Sequence, residues 1–70
     1  METYVITKKD EERTLYFYEY LFGTPRYGEN VDRSMKFESK EEANKHIPGL
    51  RNRKTHFGSH YIKGIKVSKL

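Results

Sequence analysis

Thr14-Leu15-Tyr16-Phe17-Tyr18-Glu19-Tyr20-Leu21-Phe22 is the stretch that decides the fold. Aromatic and branched apolar residues dominate it and Glu19 is its one charge, so it reads as a strand. Successive strand side chains point to opposite faces. Tyr16, Tyr18, Tyr20 and Phe22 therefore share one face, and Leu15, Phe17, Glu19 and Leu21 share the other. One short helix can cover only one of them. With Leu15, Phe17 and Leu21 beneath the helix, the tyrosines form an outward row of stiff rings with polar tips, suited to a partner surface or to base stacking. Two alternatives stay open: the rings lie flat under loops, or Glu19 marks its own face as the outer one.

Upstream, Tyr4-Val5-Ile6-Thr7 is β-branched and aromatic and reads as a first strand, joined through the charged turn Lys8–Arg13 in a hairpin. Downstream, Gly23-Thr24-Pro25-Arg26-Tyr27-Gly28-Glu29-Asn30 carries the residues of a loop. Arg26 and Tyr27 stand at its centre and are residue types common at interface hot spots. Arg33–Phe37 alternates, with Met35 and Phe37 on one side, and reads as a short third strand. Ser39 followed by Glu42 forms a capping-box pattern. The helix it opens docks through Ala43 and Ile47 and is stopped by Pro48-Gly49 after about two turns. Leu50–Thr55 is a basic connector, and His56–Val67 returns to strand character, with Gly64 marking a bulge or a close backbone approach. The order β-β-β-α-β predicts an α+β domain: a small antiparallel or mixed sheet of about four strands with one short helix on one face.

The chain has 70 residues, 34% of them apolar, which supports a single domain with one thin core and no deep enclosed active site. It contains no cysteine, which removes disulfides, thiolate metal sites and cysteine nucleophiles. The start lacks a basic stretch followed by an apolar run, and no run approaches the roughly 20 residues of a membrane span. The expectation is a cytoplasmic protein with no membrane role.

Charge is segregated. Residues 1–48 hold ten acids and eight bases, net −2, whereas residues 49–70 hold Arg51, Arg53, Lys54, Lys63, Lys66 and Lys69 and no acid, net +6. This pattern points to an acidic or polyanionic partner, with Arg51, Arg53 and Lys54 as contacts. The plainer alternative is a solvated basic surface. Three histidines, His46, His56 and His60, would all have to converge to hold zinc, and no metal or cofactor is expected. Helix capping accounts for Ser39, Glu41 and Glu42, and no nucleophile elbow, phosphate loop or dinucleotide fingerprint occurs. The chain reads as a non-enzyme.

The segment Met35-Lys36-Phe37-Glu38-Ser39-Lys40-Glu41-Glu42-Ala43 resembles one found in many short bacteriophage and prophage proteins of low-GC Gram-positive bacteria. There, a hairpin opening like Tyr4-Val5-Ile6 precedes the helix element. The resemblance implies a small accessory protein in a bacterial host that binds a host protein, such as a polymerase or a defence nuclease, and modulates or inhibits it. The expected contacts are Tyr16, Tyr18, Tyr20, Arg26, Tyr27, Arg51, Arg53 and Lys54. The alternative is direct nucleic-acid binding by the same basic, tyrosine-rich face, and self-association through open strand edges remains a third possibility.

Overall fold

The computed structural model describes residues 2–70. Strand β1, Tyr4–Asp10, and strand β2, Arg13–Leu21, form the expected hairpin around the two-residue turn Glu11-Glu12. The lysine-rich segment after Thr7 is thus strand rather than turn. The amphipathic stems of its lysines allow this, and the Lys8 ammonium sits 5.0 Å from the Tyr27 ring centre.

The segment expected to be a loop is strand β3, Thr24–Gly28, paired antiparallel with β2. Phe22 and Gly23 make its turn, both at positive φ (51° and 79°). Two left-handed residues match the right-handed twist of a hairpin. Pro25 is tolerated because β3 lies at the sheet edge, where a missing N–H removes no central ladder bond.

The expected third strand over Arg33–Phe37 does not form. A 3₁₀ turn spans Val31–Arg33, and a single bridge joins Phe37 to Tyr4. The reason lies in the parting of β1 and β2, whose pairing ends at Thr7 and Tyr16. Met35–Phe37 fills the gap: Met35 N donates to Phe17 O at 2.9 Å, and Tyr4 and Phe37 exchange backbone bonds of 2.9 and 2.8 Å. The expected alternation survives only over Met35–Phe37, with Phe37 buried, Met35 against the core and Lys36 exposed; Ser34, expected on the outer side with Lys36, is buried and donates its hydroxyl to Val31 O at 2.6 Å.

Helix α1, Lys40–Asn44, begins where the capping pattern places it. Ser39 Oγ accepts from Glu42 N at 3.2 Å. Pro48-Gly49 does not end helical structure. It lies inside a second short helix, α2, Ile47–Arg51, whose first turn has no need of the N–H that proline lacks. The expected basic connector is therefore the end of α2 followed by strand β4, Asn52–Thr55. Strand β5, Gly58–Tyr61, pairs with β4 as a separate two-stranded sheet, and β6, Ile65–Lys69, joins the main sheet. The single strand expected over His56–Val67 is thus two strands in two sheets.

The architecture is α+β. The main sheet is antiparallel in the order β3-β2-β1-β6. On one face Tyr4, Ile6, Phe17 and Ile65 pack against Phe37, Ala43, Ile47 and Leu50. A helical segment of two short pieces has no stability of its own, so docking of Ala43, Ile47 and Leu50 holds it.

Gly64 is where the backbone approaches closely. Its φ is +81°, a Cβ there would lie 2.9 Å from Lys9 O, and its own carbonyl accepts from Lys9 N at 3.0 Å. Gly49, within α2, has open space at its Cβ. The two positions respond with opposite sign. Gly64→Ala should lower stability by about 1–3 kcal/mol through backbone strain. Gly49→Ala should raise it by about 0.5–1 kcal/mol through helix propensity and a less disordered unfolded chain. Urea unfolding followed by circular dichroism reads both.

A basic groove and an exposed hairpin

The tyrosine row of β2 is broken by a β-bulge. Phe17 pairs with Tyr27 and Glu19 with Arg26, so Tyr18 has no partner on β3. The extra residue reverses the alternation beyond it. Tyr16 lies on the face away from the helices, whereas Tyr20 is turned to the helix side. There its ring stands edge-on to Phe17 at 5.0 Å and stacks on His46 at 5.9 Å, with a 3.1 Å hydrogen bond between its hydroxyl and His46 Nδ1. Tyr18 folds over Gly28, which has no side chain to obstruct the ring. Its phenol oxygen accepts from Asn30 N at 2.8 Å, and the Arg33 guanidinium lies 5.6 Å above the ring. Tyr16, Tyr18 and Tyr20 therefore do not share a face, and the outward row does not exist.

Arg26 and Tyr27 are strand residues on opposite faces. Arg26 is exposed opposite Glu19. Tyr27 is half-buried, edge-on to Phe17 at 5.9 Å. Burial raises the Tyr27 hydroxyl pKa, with the neighbouring Tyr20 adding to the rise and Arg53 opposing it. Burial likewise raises Tyr20.

The face away from the helices carries a groove of about 700 Å³. Val5 and Thr7 are buried in it, and Thr14, Tyr16 and Ser68 line it with hydroxyls. The Thr7 and Ser68 hydroxyls lie 3.2 Å apart. Lys9, Arg51 and Lys66 supply the charge, Lys69 is paired with Glu2 at 2.8 Å, and no Asp or Glu is among the lining residues. Antiparallel register explains the placement: Thr7 faces both Tyr16 and Lys66. Arg51 closes one side by donating to Ile65 O at 2.8 Å on the edge strand. Among the expected contacts, only Tyr16 and Arg51 meet here. Lys9, Lys66 and the hydroxyl residues escape a sequence reading because they converge from three strands, although the alternation Ile65-Lys66-Val67-Ser68 already separates a core side from an outer one.

Arg51 leads directly into the β4–β5 hairpin, where Arg53 and Lys54 lie. Every residue from Asn52 to Tyr61 except Arg53 is exposed. Arg53 pairs with His60 on one face and Lys54 with Ser59 on the other. His56 and Phe57 form the tip, and the Thr55 hydroxyl braces it by accepting from Phe57 N and donating to Gly58 O, each at 3.2 Å. Phe57 is 93% exposed, so the tip presents an aromatic ring wholly to solvent. Arg53 also reaches back to Gly23 O at 3.4 Å, which sets the hairpin beside the β2–β3 turn.

Three ion pairs occur among the described residues: Arg13 with Asp10, Arg13 with Glu29, and Lys69 with Glu2. Arg51, Arg53, Lys54, Lys63 and Lys66 take part in none. His46 packs among Phe17, Tyr20 and Phe37, and the described residues hold no group of three His, Asp or Glu side chains placed to bind a metal ion. No helix among the described residues is long and apolar enough to cross a membrane.

No family model matches the chain, and no curated protein or solved structure matches it significantly.

The raised tyrosine pKa values carry a sign. A phenol whose folded pKa exceeds its unfolded value near 10 contributes stability that is complete below that value and is lost as pH rises through the folded pKa. Thermal melts of the native chain should therefore fall in the alkaline range above about pH 10. Tyr27→Phe should flatten that fall and leave the melts at pH 7 nearly unchanged.

Proposed function

We propose that this chain is a non-enzymatic binding protein whose basic groove and β4–β5 hairpin engage the phosphate backbone of a nucleic acid. The observation that carries the reading is the segregation of charge: residues 49–70 hold six bases and no acid, and five of those bases, Arg51, Arg53, Lys54, Lys63 and Lys66, join no ion pair among the described residues. A basic surface kept only for solubility gains from interspersed acids, and residues 49–70 contain none. Hydroxyl groups beside lysines in the groove supply the neutral donors that phosphate oxygens also accept.

A host protein, as the phage likeness implies, is the competing target. Its expected docking surface was the shared tyrosine face, which the bulge at Tyr18 divides. The two targets differ in salt response. Phosphate contacts release counterions, so affinity falls steeply with salt. Mainly apolar contact with a protein changes little.

Titration of labelled oligonucleotides at several salt concentrations tests the reading. The slope of log affinity against log salt should lie between about −3 and −5 if these five cations engage. Arg53→Gln with Lys54→Gln, and separately Lys66→Gln, should weaken binding and reduce the slope by about one per charge removed. Absence of binding to DNA and RNA at low salt would refute it.

A further inference from the structure

Phe22 and Phe57 stand at the tips of two hairpins and are 98% and 93% exposed. Nothing in the monomer explains either ring. Phe22 is the less expected, because its φ of 51° is left-handed backbone. That turn position favours asparagine or glycine, and a bulky side chain there is strained. A large apolar residue thus occupies a site that neither local conformation nor burial selects.

The two tips belong to neighbouring elements. Arg53 of β4 reaches the carbonyl of Gly23, the residue after Phe22. Thr24, Pro25 and Arg53 also border one small cavity. Lys54 follows on the same strand, opposite Ser59, and Phe57 ends the hairpin. The Phe22 turn thus sits beside Arg53 on β4, and the same hairpin carries Lys54 and ends in the solvent-facing ring of Phe57.

Resting on the nucleic-acid reading above, we propose that the strand bound is single, with Phe22 and Phe57 stacking on unpaired bases, Arg53 holding phosphate beside the β2–β3 turn and Lys54 holding it on the opposite face of the β4–β5 hairpin. Bases within a duplex keep their π-faces against one another and have none to offer. Aromatic rings beside a cationic track are the combination that single strands use, and they use it with little sequence preference.

The test compares a labelled oligothymidylate with a duplex of equal length by fluorescence anisotropy. The native chain should bind the single strand more tightly. Phe57→Ala and Phe22→Ala should each weaken that binding by about tenfold, within the range for loss of one stacked base, with the salt slope unchanged. Phe22→Asn separates recognition from folding: it suits the turn, so the melting temperature should rise while single-strand affinity falls. Equal affinity for oligothymidylate in the native and phenylalanine variants overturns the proposal, as does preference for the duplex. Loss of all nucleic-acid binding by the native chain instead removes the reading beneath it. Phenylalanine-dependent binding of a protein by a chain with no affinity for either oligonucleotide would also overturn it.

Discussion

The extra residue at Tyr18 is the constraint on which the sheet and its covering depend. A regular β2 would place Phe17 on one face and Tyr20 on the other. With one residue out of register against β3, both turn to the helix side. Tyr20 then meets His46 where α1 gives way to α2, so β2 is tied to the helical segment at its weakest joint. The bulge is accommodated because Gly28 leaves room for the Tyr18 ring and Asn30 donates to its hydroxyl. Met35 takes the Phe17 carbonyl where β1 and β2 part. A local irregularity thus organises three otherwise separate segments.

Charge is arranged around the same frame. The acids Glu41 and Glu42 lie in the first turn of α1, where they complement the helix dipole. Glu2, Asp10 and Glu29 are taken up in surface ion pairs. The bases of residues 49–70 lie on α2, on the second hairpin, in the turn between β5 and β6 and on the edge strand β6, where acids of the first two-thirds pair only with Lys69. The resulting positive potential is a property of topology as much as of composition. Surface pairs of this kind contribute little to stability, at most about 1 kcal/mol each, so leaving cations unpaired costs the fold little and keeps them available to an anionic partner.

Parts of this were legible in the residues. Ser39 and Glu42 mark a helix start because capping is a contact between near neighbours. Gly64 announces a close approach because only glycine fits there. The β1–β2 hairpin follows from two apolar runs and a polar turn. The reading of Gly23–Asn30 as a loop failed because its glycines and proline suit an edge strand equally well. Pro48 misled in the same way, since proline is as compatible with the first turn of a new helix as with the end of an old one. The tyrosine row failed through strict counting by twos, which one unpaired residue undoes.

Although Leu15 and Leu21, expected beneath the helix with Phe17, lie outside the core and Leu21 is exposed, the sequence by itself determined the class of fold, the capped helix start, the docking residues Ala43 and Ile47 and the segregation of charge. Each of these rests on composition or on contacts within a few residues. Tertiary structure alone decided which tyrosines share a face, which lysines meet across strands to form a groove, and that the basic third divides into a free hairpin and an edge strand. Those outcomes depend on register and pairing between segments far apart in the chain, where a shift of one residue sends a side chain to the opposite face.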